Sequence, residues 1–278
     1  MPSRLLGEIT LDDCSLSGEL NTIFKHPFNN KGYKEFICGE WKSCAIWNLS
    51  GVDNDVRIKD YQGQAQQTHL GKQLLYLNSM IKNNFNLQYL KYARLVILGS
   101  NSVVIPHRDY LELKQGFLRI HIPLKTSDAC YNSEENQVYN LKKGEVWYLD
   151  ASLIHSAACL ADIDRLHLIL DFSENIPIEQ IFTSHNQEIN FTTQPIEREN
   201  ISTGTLNGIY HLASLIDLSN FYDVIGIITK LHFLKNISAT DVFNYLKEIA
   251  NLSQKKGVCE KVDWLERYCL TTRNEQTV

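Results

Sequence analysis

The sequence predicts a β-rich core of sandwich or barrel type, followed by a helical C-terminal part. Three observations predict it. From about residue 90 to 172, short apolar or alternating runs are broken by Gly, Pro, Asn and Asp. These runs recur at roughly ten-residue intervals, the spacing of strands joined by turns. From about residue 202 the apolar period becomes that of amphipathic helices.

Taken in order, the N-terminal 90 residues are mixed, with one helix expected over HLGKQLLYLNSMIKNNF. The strands expected next are RLVIL, SVVI, FLRIHIPL, QVYNL, EVWYLD and RLHLILDF. Residues 173–201 are polar, carry two prolines and read as a connector. SNFYDVIGIITKLHFL then opens with a Ser-Asn cap, and SATDVFNYLKEIANLS with a Ser or Thr cap followed by Asp. VDWLERYCL is a shorter third helix. There is no internal repeat and no low-complexity tract.

The bulk properties exclude several function classes. A chain of 278 residues is long enough for a large core and one or two domains. Its net charge of −5, with no Lys/Arg block, argues against a nucleic-acid partner. The apolar runs are too short to span a bilayer, and acidic residues stand where a signal peptide would carry its apolar stretch. The expected location is the cytoplasm. Seven cysteines, an odd number without CxxC spacing, fit reduced thiols rather than a disulfide framework or a zinc site.

The chemistry is concentrated in two segments. VVIPHRDYLEL places His107 and Asp109 two residues apart at the end of an apolar run. Residues i and i+2 of an extended chain point to the same side, so an imidazole and a carboxylate can converge on one ion. Two histidines and a carboxylate leave three adjacent coordination positions open, which suits Fe(II) in oxygen chemistry. HxD alone is weak, since a surface His beside a turn Asp produces it by chance. GEVWYLDASLIHSAACLADIDRLHLILDF strengthens it: a Gly turn and a strand lead to His155, forty-eight residues after His107. In a double-stranded β-helix, outgoing and returning strands meet at such a distance.

Ten residues further, Arg165 opens an alternating strand. It shares a face with His167, Ile169 and Asp171, while Leu166, Leu168, Leu170 and Phe172 take the other face, against the core. A buried arginine needs an anion, and a guanidinium binds a carboxylate through two parallel hydrogen bonds. A dicarboxylate cosubstrate chelating the metal at one end would supply it; a structural salt bridge to Asp162 or Asp164 is the alternative. Arg119 and His121 share a face of FLRIHIPL and suggest a pocket wall, with an outward, solvated face as the alternative. His121 and His167 are expected as hydrogen-bonded core histidines rather than ligands.

These residues resemble the L-proline cis-3-hydroxylase-like family of free-amino-acid hydroxylases, within the aspartyl/asparaginyl β-hydroxylase-like superfamily. The resemblance covers nearly the whole chain: GEWKSCAIWNLSG, VVIPHRDYLEL, LKKGEVWYLDASLIHSA and the helical tail DLSNFYDVIGIITKLHFLKNISATDVFNYL. It implies a mainly β chain with α: a double-stranded β-helix (jelly-roll, cupin-like) core over 1–190 with an N-terminal flank, and a helical C-terminal domain over 191–278. It implies Fe(II) on His107, Asp109 and His155, 2-oxoglutarate on Arg165, and O2 as the oxidant. It places Arg119 where the family has a pocket arginine, and Arg94 as a further substrate-binding candidate.

The implied substrate is a free L-amino acid, proline by default, acted on by a monomer or a homodimer. A basic amino acid such as lysine, or a carrier-bound or protein residue, is the alternative substrate. The segment TSDACYNSEENQ departs most from the family and lies where a substrate lid could be; its Asp128, Glu134 and Glu135 are expected to be solvated, with pairing to an ammonium group as the alternative. Two rivals to the enzyme class are a zinc hydrolase, which lacks HExxH and gives Arg165 no role, and a cupin-like sensor that binds a small acid without turnover.

Overall fold

The computed structural model describes residues 2–28, 34–183 and 194–273. Its strands are β1 (Arg4–Glu8), β2 (Ile37–Cys38), β3 (Trp41–Asn48), β4 (Gln66–Gln67), β5 (Leu90–Leu98), β6 (Ser102–His107), β7 (Phe117–Lys125), β8 (Cys130–Glu134), β9 (Gln137–Tyr139), β10 (Glu145–Leu149), β11 (His155–Cys159) and β12 (Arg165–Ser173). Its helices are α1 (Asp13–Lys25), α2 (His69–Gln73), α3 (Leu75–Asn84), α4 (Thr203–His211), α5 (Phe221–Leu234), α6 (Ala239–Ser253) and α7 (Lys256–Leu270).

The strands form two antiparallel sheets. The larger runs β1-β10-β7-β12-β5-β3-β4 and the smaller β2-β6-β11-β8-β9. From β5 to β12 the chain passes back and forth between the sheets, which is the double-stranded β-helix, or jelly roll. The expected fold class is therefore the observed one.

Strand alternation decides which side chains face the interior of the roll. On β12 and β7, Leu166, Leu168, Leu170, Phe172, Ile120, Ile122 and Leu124 face outward, where they pack with Leu16 of α1 and Leu77 and Ile81 of α3. Each such buried aliphatic side chain contributes about 2 kcal/mol. The opposite face of the same strands holds Arg119, His121, Arg165 and His167, all buried. On the far side of the molecule, Ile105, Cys130 and Cys159 of the smaller sheet pack with Phe221, Ile225, Phe243 and Leu246 of the C-terminal helices. The layers are thus helices, large sheet, functional interior, small sheet, helices.

Local chemistry sets the element ends. Ser238 and Asp241 form a reciprocal capping box at the start of α6, as the sequence indicated. Gly144 sits at φ +83°, and a Cβ there would lie 2.6 Å from the Ile9 carbonyl oxygen, so only glycine makes the turn into β10.

Three expectations need correction. The single helix over residues 69–85 is two, α2 and α3, separated at Leu74. The carboxylate of Glu19, on α1, accepts hydrogen bonds from the backbone of Tyr76 (2.5 Å) and Leu77 (3.0 Å), capping α3 from another element. Asn220 stands at the start of α5 without capping it; its side chain instead accepts from Asp217 N and donates to Leu215 O. Part of TSDACYNSEENQ, expected as a loop and candidate lid, is strand β8, paired with β11 and β9. Among the described residues no helix is long and apolar enough to cross a membrane, and all seven cysteines are free.

Candidate active site

The three residues singled out as metal ligands come together. β6 ends on His107, and the chain runs on to Asp109. β11 begins on His155, whose register partner across the sheet is His107. One ligand atom from each lies within 4.8 Å of the others. Asp109 Oδ1 is 3.5 Å from His107 Nε2, and Asp109 Oδ2 is 3.8 Å from His155 Nε2.

Both rings are oriented by backbone. His107 Nδ1 lies 2.9 Å from the Ile105 carbonyl and His155 Nδ1 lies 3.0 Å from that of Leu153. A carbonyl only accepts, so each Nδ1 carries the proton and each Nε2 presents a lone pair to the common centre. Phe36 stacks on His107 with ring centroids 4.3 Å apart.

The electrostatics keep these ligands in the form a metal needs. Burial, and then the neighbouring His107, push the pKa of His155 down to about 3, so its ring is neutral at physiological pH. Burial alone would raise the Asp109 carboxyl, but Arg119 and the two imidazoles outweigh it and hold it well below the usual carboxylate range. Two imidazoles and one carboxylate around one point are a donor set that fits Fe(II).

A cavity of about 110 Å³ adjoins the triad. Arg165, Arg119 and Arg94 all line it, and each is at least 94% buried. Arg165 donates to His167 Nε2 at 2.8 Å and to the amide oxygen of Asn132. The salt bridge to Asp162 or Asp164 weighed from the sequence does not form: among the described residues no carboxylate pairs with Arg165. Burial lowers its pKa to about 10. Its hydrogen-bond partners are His167 and Asn132, and the nearby Cys130 and Cys159 sulfurs favour its charge without supplying a carboxylate.

Arg94 and Arg119 are partly satisfied. Asp171, fully buried, accepts from Arg94 Nη2 at 2.9 Å and from Arg119 Nε at 2.7 Å. Arg119 Nη1 also reaches Asp109. Arg94 Nε and Arg119 Nη2 are buried donors without a protein acceptor. His121 and His167 meet each other, Nδ1 to Nδ1 at 3.3 Å, and stand outside the metal triad.

Sequence reasoning gave no role to four contributors to this site: Phe36, Trp41, Asn132 and Asp171. Strand phase had placed Asp171 on the inward face, and Trp41 lies in the N-terminal block that carried the resemblance. Phe36 and Asn132 had no local signal. The acidic residues weighed for an ammonium group face elsewhere. Asp128 is exposed and pairs with Lys142, Glu134 accepts from the backbone and hydroxyl of Ser3, and Glu135 accepts from Ile154 N.

Comparison with known proteins decides the family. The family model described as aspartyl/asparaginyl β-hydroxylase matches residues 15–175, more than half of the chain. The chain belongs to this family. The model described as the C-terminal region of L-proline 3-hydroxylase matches residues 178–277. Among family relatives, L-proline cis-4-hydroxylase of Rhizobium meliloti (strain 1021) is 32% identical over 278 residues, covering 100% of this chain and 99% of its own. L-proline cis-3-hydroxylase 1 of a Streptomyces species is 29% identical over 280 residues, covering 98% and 96%. A solved 2-oxoglutarate-Fe(II) oxygenase-family oxidoreductase from Burkholderia pseudomallei is similar over 64% of this chain and 87% of its own, at 12% identity and a TM-score of 0.42. The family to which the chain belongs is one of hydroxylases.

Proposed function

We propose that this enzyme hydroxylates free L-proline, with Fe(II) on His107, Asp109 and His155 and the far carboxylate of 2-oxoglutarate on Arg165. The observation that carries the reading is Arg165: a buried guanidinium without a carboxylate partner, on the wall of the same cavity as three convergent metal donors. Bound Fe(II), with 2-oxoglutarate and O2, supplies the oxidising power that places one oxygen atom in a C–H bond while the cosubstrate leaves as succinate and CO2.

The residues of the chain bind, orient and exclude water. His107 and His155 present Nε2, and their Nδ1–H groups lock the rings. Arg165 has Nε and Nη2 engaged by His167 and Asn132, which leaves Nη1 to donate to a carboxylate. The unmatched donors of Arg94 and Arg119 await a second carboxylate, that of the amino acid. Asp171 holds those two guanidinium groups at a fixed separation.

The cavity wall supports proline over a basic amino acid. Its apolar side chains include Trp41, Val96, Leu98, Leu149 and Ile169, and its only carboxylate is Asp109, a metal-ligand candidate. No acid among the lining residues is left to pair with a side-chain ammonium. An apolar ring meets its needs there; a lysine side chain does not. The buried arginines in the cavity wall, together with whole-length similarity to L-proline hydroxylases, likewise support a free amino acid over a protein side chain.

The test is succinate formation with Fe(II), 2-oxoglutarate and each free amino acid, plus ornithine and pipecolate, with product masses measured. Proline should stimulate most and gain one oxygen. His107→Ala and Asp109→Ala should each abolish succinate formation. Unaltered turnover in either variant would sink the metal assignment, and stimulation by lysine alone would sink the proline reading.

A further inference from the structure

Arg273, three residues beyond the end of α7, is buried where a long cationic side chain outside a helix or strand would ordinarily be solvated. Its side chain is only 6% exposed. Its guanidinium lies over the ring of Phe36, 5.4 Å from the centroid, and over that of Tyr268 at 6.0 Å. Nη1 donates to Glu112 at 2.9 Å, Nη2 donates to the carbonyl of Arg108, and Nη2 lies 3.8 Å from Asp109 Oδ1. One further bond ties the same two segments: Arg108 N donates to the Cys269 carbonyl in the last turn of α7, at 2.9 Å.

The three polar contacts of Arg273 share one thing. All fall on residues 108–112, the non-strand segment that carries the Asp109 carboxylate. Asp109 follows the end of β6; its backbone N–H donates to the Ala151 carbonyl at 2.8 Å, and its carboxylate is set by its charged neighbours. Arg119 pulls on Oδ2 from inside the roll, and Arg273 stands on the Oδ1 side. Phe36, under the Arg273 guanidinium, stacks in turn on His107. Arg273 thus reaches both members of the HxD pair: Asp109 from its own guanidinium and His107 through one ring. It does not line the cavity. Ordering so long a side chain costs rotamer freedom, and the polar contacts set against that cost fall on this one segment.

We propose that Arg273 is a positioning residue for the metal centre: from the C-terminal helical region it sets the geometry of His107 and Asp109. The C-terminal helices then complete the metal site rather than only cover the barrel. This rests on the metal reading above.

The test is calorimetric titration of the metal-free full-length protein with Co(II), with the visible absorption of bound Co(II) recorded. The variants are Arg273→Gln, Arg273→Lys, Glu112→Gln and Asp109→Ala. Groups that orient metal ligands typically change affinity by about 10- to 100-fold. Arg273→Gln should weaken Co(II) by that factor and alter its absorption, Arg273→Lys should recover part of the loss, and Glu112→Gln should move in the same direction. At saturating metal the KM for proline should stay within about twofold of the parent, since Arg273 is outside the cavity. Glu112→Gln leaves the helix intact and decides the matter if Arg273→Gln does not fold. Co(II) affinity within twofold of the parent in the folded variants, with Asp109→Ala having lost it, overturns the role of Arg273 and leaves the metal centre standing. Undiminished Co(II) binding by Asp109→Ala overturns the metal centre and this proposal together.

Discussion

His107 and His155 are set by one device used twice: a ring N–H donated to the carbonyl two residues upstream. Because β6 and β11 are neighbours in one sheet, the same device on both strands brings the two Nε2 atoms to one point. Arg165 differs, having neutral partners and no carboxylate. If it holds the cosubstrate carboxylate as proposed, replacing it with Gln removes a charge-assisted pair of about 1.5–3 kcal/mol. Arg165→Gln should therefore raise the KM for 2-oxoglutarate roughly 10- to 100-fold with little change in the KM for proline. Steady-state succinate assays read both, and an unchanged KM for 2-oxoglutarate would remove Arg165 from the cosubstrate site. Asp171 is the converse case, a buried anion shared by two cations. Asp171→Asn keeps its shape and loses its charge, leaving Arg94 and Arg119 uncompensated. Breaking a buried pair costs about 3–5 kcal/mol, so a clear drop in melting temperature should accompany a raised KM for proline. A variant as stable as the parent would show that the two arginines find other compensation.

At the scale of elements, the sequence was legible where one face of a strand serves only the core. β7 and β12 alternate cleanly because their outward faces meet apolar helices, and that alternation put Arg119 and Arg165 inside. β8 was read as a loop because its buried residues serve polar neighbours: Asn132 holds Arg165, and Glu134 holds Ser3. A strand whose side chains answer to a site loses the apolar period by which strands are recognised. The break between α2 and α3 was hidden for another reason. Glu19, more than fifty residues earlier, supplies the cap, and local periodicity carries no trace of so distant a partner. The metal motif was legible because its spacing is local; Phe36 and Arg273, which flank it in space, come from the two ends of the chain. The cap of α6 belongs to the legible class. Ser238→Ala removes the hydroxyl that accepts from Asp241 N and should cost about 1 kcal/mol, read as a lower urea midpoint at unchanged slope. No shift in midpoint would mean that solvent replaces the cap at no cost.

At the scale of the whole molecule, the small sheet and the C-terminal helices share one apolar cluster, so proton binding within the helices bears on the layer that carries His107. His232 on α5 is fully buried. Its Nδ1–H donates to the Ile237 carbonyl at 2.8 Å, and its Nε2 has no partner. Burial pushes its pKa down to about 4; the Ile237 carbonyl and Asp241 favour the cation, and Arg198 opposes it. The unfolded chain takes up this proton below its ordinary pKa of about 6.5, whereas the folded chain refuses it until about pH 4. The unfolded state therefore binds more protons in that window, and stability must fall as pH falls through it. The full effect is roughly 3 kcal/mol, complete only below pH 4 and absent above about pH 7. Other buried histidines, His155 among them, act in the same direction, so the acid sensitivity of the parent alone does not isolate His232. His232→Gln keeps a donor for Ile237 and cannot titrate. Urea unfolding of parent and variant from pH 7.5 to 4.5 should give a stability difference that shifts steadily against the parent as pH drops. A difference constant across that range would show that the helical layer is not the acid-labile part of the fold.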